Sequence, residues 1–282
     1  TSIGFERTAV TRQQRRAQLK TSIGAVARRG LDLSAKQNEQ WWAVAAATRI
    51  LYDILDSRAA TRASAAAKRA HEFFETSLTH NPSDFRIECA KGCAFCCHVS
   101  VTAMAPEIFF VANHIKQKSP EDAAQFLERV RAADAMTRGL GGFERAQRKL
   151  PCALLENNAC TVYHVRPAAC RGFTSISMKT CERAFNGENV QVNTPAVWTV
   201  LRNAHKQAMW AALVAAELPA DSYEFHHGLL VALETPDAEA RWLAGEDIFA
   251  GVAREQAGLA EQEQNRQIIG QLVAGALGKD MP

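Results

Sequence analysis

Aromatic side chains are scarce in this sequence, with three tyrosines and five tryptophans among 282 residues, while the apolar share reaches 47%. Much of that share is alanine, a composition that suits packed helices. Long hydrophobic runs are also missing. Charge-free stretches such as 191–201 and 207–216 are too short to cross a bilayer. No basic segment leads into an apolar run of the kind that marks a secretory signal, and the chain opens on Thr1, as a trimmed chain would. These features predict a soluble, cytoplasmic protein with no membrane partner. There is no phosphate-binding glycine loop, nucleophile elbow or H-E-x-x-H, and no internal repeat or low-complexity tract. The common nucleotide and hydrolase signatures are therefore excluded.

Charge of one sign is short at each end. Residues 1–80 carry about six excess positives and residues 191–282 about six excess negatives. The plainer reading docks the basic arm on the C-terminal helices of its own chain or of a second protomer, giving a homo-oligomer. The sharper reading is nucleic-acid binding through Arg12, Arg15, Arg16, Lys20, Arg28 and Arg29. That stretch has almost no interleaved aromatics and no binding motif, so nucleic acid is not the expected partner.

Cysteine is what the chain has in concentration. Four of eight fall within nine residues, Cys89, Cys93, Cys96 and Cys97, spaced C-x3-C-x2-C-C, and the others follow at Cys152, Cys160, Cys170 and Cys181. A chain this long is no disulfide scaffold, and in a reducing compartment its thiolates would be available to metal. The C-x2-C step from Cys93 to Cys96 lets two sulfurs grip one centre while intervening backbone N–H groups offset their charge, with Gly92 allowing a tight turn. Consecutive side chains point apart, so Cys96 and Cys97 suit one mononuclear ion poorly. An iron–sulfur cluster or two metals relieves that conflict better than a lone zinc. In the second group Cys160 follows a predicted hairpin tip at Asn157-Asn158. Cys170 lies in a short helix after Pro167, and Arg166 and Arg171 bring positive charge beside thiolates.

The helices read from capping and periodicity. Ser34 with Gln37 suggests a capping box opening a helix through Leu55. An alanine-rich helix is expected over 58–78, a third from Pro106, and a fourth from Ser119-Pro120 to about Arg138. Thr194-Pro195 opens another to about Glu217, two segments follow Pro219 and Pro236, and 256–277 is weakly helical. Strand is expected only in short pieces such as 99–102. The fold class is mainly α, a helical scaffold around an irregular cysteine-rich metal-binding centre. Its expected divisions are a basic lead-in (1–33), a helical hairpin (34–82), a cysteine core (83–190) and a C-terminal helical region (191–282). Trp41, Trp42, Trp198, Trp210 and Trp242 read as core or interface residues.

The run from Cys89 to His98, then Pro151-Cys152-Ala153-Leu154-Leu155, then Cys160-Thr161-Val162-Tyr163-His164-Val165-Arg166-Pro167-Ala168-Ala169-Cys170-Arg171-Gly172-Phe173, resembles the YkgJ-type cysteine-cluster family. Its members are described as zinc- or iron-chelating CxxCxxCC proteins and include flagellin lysine N-methylases. The first gap here is one residue longer than that pattern. The resemblance implies metal positions at Cys89, Cys93, Cys96, Cys97, Cys152, Cys160 and Cys170, with Cys181 as the extra cysteine of a subgroup. It also implies an iron–sulfur centre. Cys89, Cys93 and Cys96 fit the CxxxCxΦC pattern of radical S-adenosylmethionine enzymes as well, but no βα alternation follows.

His98, Tyr163, Arg166 and Arg171 are candidate ligands or hydrogen-bonding neighbours of the metal. His164 reads as exposed, and His226-His227 as a capping or core pair. His71, His80, His114 and His205 sit in helical contexts and read as structural. The expected function is a metal-binding protein with a cysteine-ligated iron–sulfur centre, [4Fe–4S] before zinc, performing redox or group-transfer chemistry on an unidentified substrate, a protein being one candidate. The alternatives are a structural-zinc module that binds a protein or nucleic acid, and a protein-lysine N-methylase.

Overall fold

A computed structural model describes residues 30–255 and 259–278, with side chains from 263 in the second segment. The basic arginines and lysine at 12–29 lie outside the described residues. Two long helices, α1 (Gln37–Leu55) and α2 (Arg62–His80), pack on one another. The expected capping box does not form. The Ser34 hydroxyl bonds Asp32 Oδ1 at 2.7 Å, and α1 begins three residues later, because the Gln40 amide donates to the carbonyls of Leu33 and Ala35 and holds the lead-in there.

After an irregular segment and a 3₁₀ turn (Phe95–His98), β1 (Thr102–Met104) leads straight into α3 (Ala105–Lys116). Helix α4 (Pro120–Thr137) starts as expected, the Ser119 hydroxyl accepting from the Asp122 N–H at 3.1 Å. A short α5 (Gly142–Gln147) precedes the hairpin of β2 (Leu155–Glu156) and β3 (Ala159–Cys160). Asn157 and Asn158 both take positive φ at its tip, 49° and 57°, the requirement of the tight turn expected there. A 3₁₀ turn (Tyr163–Val165), α6 (Ala168–Arg171) and α7 (Met178–Phe185) complete the cysteine region.

The chain then forms α8 (Ala196–Ala215), β4 (Ser222–Glu224), α9 (Phe225–Glu234), α10 (Ala238–Leu243) and α11 (Leu259–Leu277). Strand β4 pairs antiparallel with β1, Ala103 opposite Tyr223, so two short extended pieces far apart in sequence close a ladder. The protein is mainly α, as the sequence predicts.

Helix α8 packs on both α1 and α2, α3 packs on α2 and α9, and α11 lies across α1 and α8. One continuous core runs from Leu31 to Ala276 and takes in Ala153, Leu154, Val162 and Val165 from the cysteine region. The cysteine loops are therefore anchored to the helical body by apolar side chains between the thiols. Trp242 and Tyr223 are fully buried, while Trp42 stays half exposed. Among the described residues no helix is long and apolar enough to cross a membrane.

Candidate metal centre

All eight cysteines are free. The first group lies on the irregular segment and its 3₁₀ turn, where Gly92 adopts φ 96°, a conformation open to glycine. The second group is spread over the β2–β3 hairpin, α6 and α7.

Backbone bonds tie the two together at both ends. The Cys152 N–H donates to the Cys97 carbonyl at 2.7 Å, and the Glu88 N–H to the Ser175 carbonyl at 3.1 Å. The Ser175 N–H then donates to Cys89 Sγ at 3.1 Å, and its hydroxyl meets the sulfur of Cys181. Helix α7 closes this side by packing Phe185 against Phe95 and His98.

Two electrostatic neighbourhoods result. Cys89, Cys93 and Cys181 act on one another around Ser175. Cys152, Cys160 and Cys170 form the other set. Cys96 belongs to both, since as a thiolate it would act on Cys93 and Cys181 and also on Cys160 and Cys170. Its own thiol is raised first by a hydrogen bond to Cys97 and then by burial. The sulfurs are grouped without being closed into a tight cage: among the described residues no three cysteines form a ready metal-holding group.

Burial is the main force raising the thiols of Cys93, Cys160, Cys170 and Cys181, and it lifts Cys152 to about 11. Three local turns oppose it. The N–H of Phe95 points at Cys93, that of Leu154 at Cys152 and that of Val162 at Cys160, each two residues beyond the sulfur it serves. Donors so aimed stabilise thiolate. Without a cation the thiols hold their protons, and a metal would displace them.

The flanking candidates separate. Arg166 stacks on Tyr163 at 3.6 Å, and its charge favours the thiolates of Cys96, Cys160 and Cys170. Arg171 turns away, pairing with Glu75 of α2 and donating to the His164 carbonyl. The His98 ring bonds the Ala94 carbonyl through Nδ1 at 3.1 Å and stands edge-on to Phe185. Tyr163 and His164 are exposed, as expected for the latter. His227 contributes its N–H to the Glu224 cap of α9.

His226 is a core residue with a specific task. Its Nε2 accepts from the Ala153 N–H at 3.3 Å and faces Arg145 at 3.4 Å, while Nδ1 stands 3.5 Å from the Thr137 hydroxyl. Burial, then Arg145, lowers its pKa to about 3, so the ring is neutral and holds the loop after Cys152. Neither Ser175 nor Arg145 was marked by the sequence, because serine and arginine are common and only the chain crossing brings them to the thiols.

An open cleft of about 190 Å³ runs beside the cysteines, lined among others by Phe95, Cys96, His98, Phe173, Cys181 and Phe185. Its walls are mostly apolar, and it reaches both thiol neighbourhoods at their junction.

Comparison with known proteins gives one match. Residues 88–194 fit the CxxCxxCC family model, described as a "Putative zinc- or iron-chelating domain". No curated protein and no solved structure matches the chain.

Proposed function

We propose, from the match of residues 88–194 to the zinc- or iron-chelating cysteine-cluster family model, that the eight cysteines hold an iron–sulfur centre serving redox or group-transfer chemistry at the adjoining cleft. The observation that carries this reading is the junction of the two sequence groups: the Cys152 N–H bonds the Cys97 carbonyl at 2.7 Å, and Cys96 shares a cleft wall with Cys181. One extended centre explains that junction better than two unrelated sites. The donor set fits the group, since soft thiolates select iron–sulfur clusters and zinc alike.

When bound, a [4Fe–4S] centre supplies electron transfer or an open iron for a ligand. The protein's own share is easier to derive. Phe95, Phe173 and Phe185 offer an apolar wall that would exclude water from one side of the site. Arg166 offsets thiolate charge, and Ser175 and His226 hold the loops that bear Cys89, Cys181 and Cys152. The substrate is unidentified, and an apolar side chain presented by a protein would fit the cleft.

A zinc centre is the second reading, since the three N–H···S turns suit a zinc thiolate as well as a cluster thiolate. Anaerobic purification followed by visible absorption and elemental analysis separates the two. Broad visible absorption with iron and sulfide supports the cluster. A colourless protein with stoichiometric zinc sinks it.

A further inference from the structure

Three side chains away from the cysteines meet in the helical core. His71 on α2, Glu107 on α3 and His205 on α8 bring one donor atom each within 4.8 Å of one another. They are 5%, 6% and 1% exposed. The two imidazoles stack with centroids 5.6 Å apart, and Phe110 and Phe74 pack against them. None of the four ring nitrogens makes a hydrogen bond of good geometry, although His71 faces the Glu107 carboxylate and His205 the Ala70 backbone.

That deficit is unusual, because buried polar atoms in native cores are nearly always paired. The shortest approach to the carboxylate, His71 Nε2 to Glu107 Oε1, is 3.6 Å, too long for a hydrogen bond. If this pair and the approach of His205 to the Ala70 backbone both closed into hydrogen bonds, two ring nitrogens would still be unbonded. Glu107 is meanwhile held firmly, one oxygen accepting from the Met104 N–H at 3.2 Å and the other from the Ala168 N–H at 2.6 Å. Each oxygen keeps a lone pair.

Donors around a tetrahedral ion bound at about 2.0–2.1 Å stand about 3.4 Å apart. The 3.6 Å between His71 and Glu107 is close to that spacing, and small side-chain rotations bring in His205. Two imidazoles and one carboxylate from three helices form a donor set that suits zinc or iron(II). The nearby cation, Arg171, is paired with Glu75, which answers its charge.

We infer that His71, Glu107 and His205 bind a divalent transition-metal ion of the zinc or iron(II) class, at a second centre separate from the cysteines. The two are linked mechanically. Ala168, whose N–H bonds Glu107, opens the short helix α6 that carries Cys170. An ion there would brace that helix against α2, α3 and α8. The inference does not depend on which metal the cysteines hold.

The test uses the full chain and zinc as the probe. Zinc-loaded protein, freed of weakly held ion, is measured for zinc per chain and by zinc X-ray absorption fine structure. The same is done for His71→Gln and His205→Gln. Wild type should show nitrogen or oxygen neighbours at about 2.0–2.1 Å beside any sulfur shell at about 2.3 Å. Each variant should lose one zinc per chain and most of the short shell, with the sulfur shell unchanged. A wild-type spectrum of sulfur neighbours alone overturns the inference even if the variants do not fold. So do folded variants that keep all their zinc and the same spectrum.

Discussion

Glu239 of α10 caps helix α2 through space: its Oε1 accepts the Ser64 N–H at 2.7 Å. Thr61, at the cap position itself, makes no side-chain cap bond. The other carboxylate oxygen takes the Ser64 hydroxyl at 3.0 Å and the Asn113 amide at 2.8 Å, joining α2, α3 and α10. A residue 175 positions away thus satisfies an N–H that helices usually satisfy locally.

Replacing Glu239 with alanine should therefore destabilise the fold by about 1–3 kcal/mol, the range for leaving buried donors unsatisfied. Urea denaturation of wild type and variant checks this. A midpoint that does not move would remove Glu239 from the account of how α2 is anchored.

Cys96→Ser should lower metal content more than Cys89→Ser or Cys181→Ser, because Cys96 bears on both thiol neighbourhoods and the other two on one. Metal per chain after a chelator challenge reads the difference. Equal losses would argue that the two groups bind separately.

Arg166 and Arg171 should part company on substitution. Arg166→Met removes a positive charge beside Cys96, Cys160 and Cys170, so a bound iron–sulfur centre should become harder to reduce. The expected shift is negative and on the order of 50 mV. Arg171→Met should leave the potential nearly fixed and lower stability instead, since its partners are Glu75 and the His164 carbonyl. A redox titration paired with thermal unfolding measures both.

His226 predicts an acid limb. Its folded pKa of about 3 lies below the ordinary 6.5, so between those values the unfolded chain binds the extra proton and stability falls as pH drops. Above pH 6.5 the ring contributes no slope. His226→Gln should flatten the stability profile between pH 6.5 and 3 while lowering stability at neutral pH. Denaturation midpoints across that range compare the two proteins, and parallel profiles would contradict the assignment.

Much of the helical scaffold was legible in local sequence. Ser119 with Pro120 placed the start of α4 within a residue, and Asn157-Asn158 placed the hairpin tip, because caps and tight turns are short-range chemistry. Ser34 misled because Asp32 Oδ1 takes both its N–H and its hydroxyl, a contest that the Ser34–Gln37 pattern does not reveal. The β1–β4 pair was invisible because neither strand carries enough residues to show an alternation.

The sequence by itself determined that a cysteine-rich segment of the zinc- or iron-chelating kind is present, since the number and spacing of its thiols are properties of the chain. Only the tertiary structure decided that Cys96 stands between two thiol sets, that Arg171 turns from them, and that His71 and His205 face Glu107. Those relations depend on how α2, α3, α6 and α8 cross, and crossing is set by packing of apolar faces far apart in sequence. Spacing along a chain specifies which donors exist, while packing specifies which of them meet.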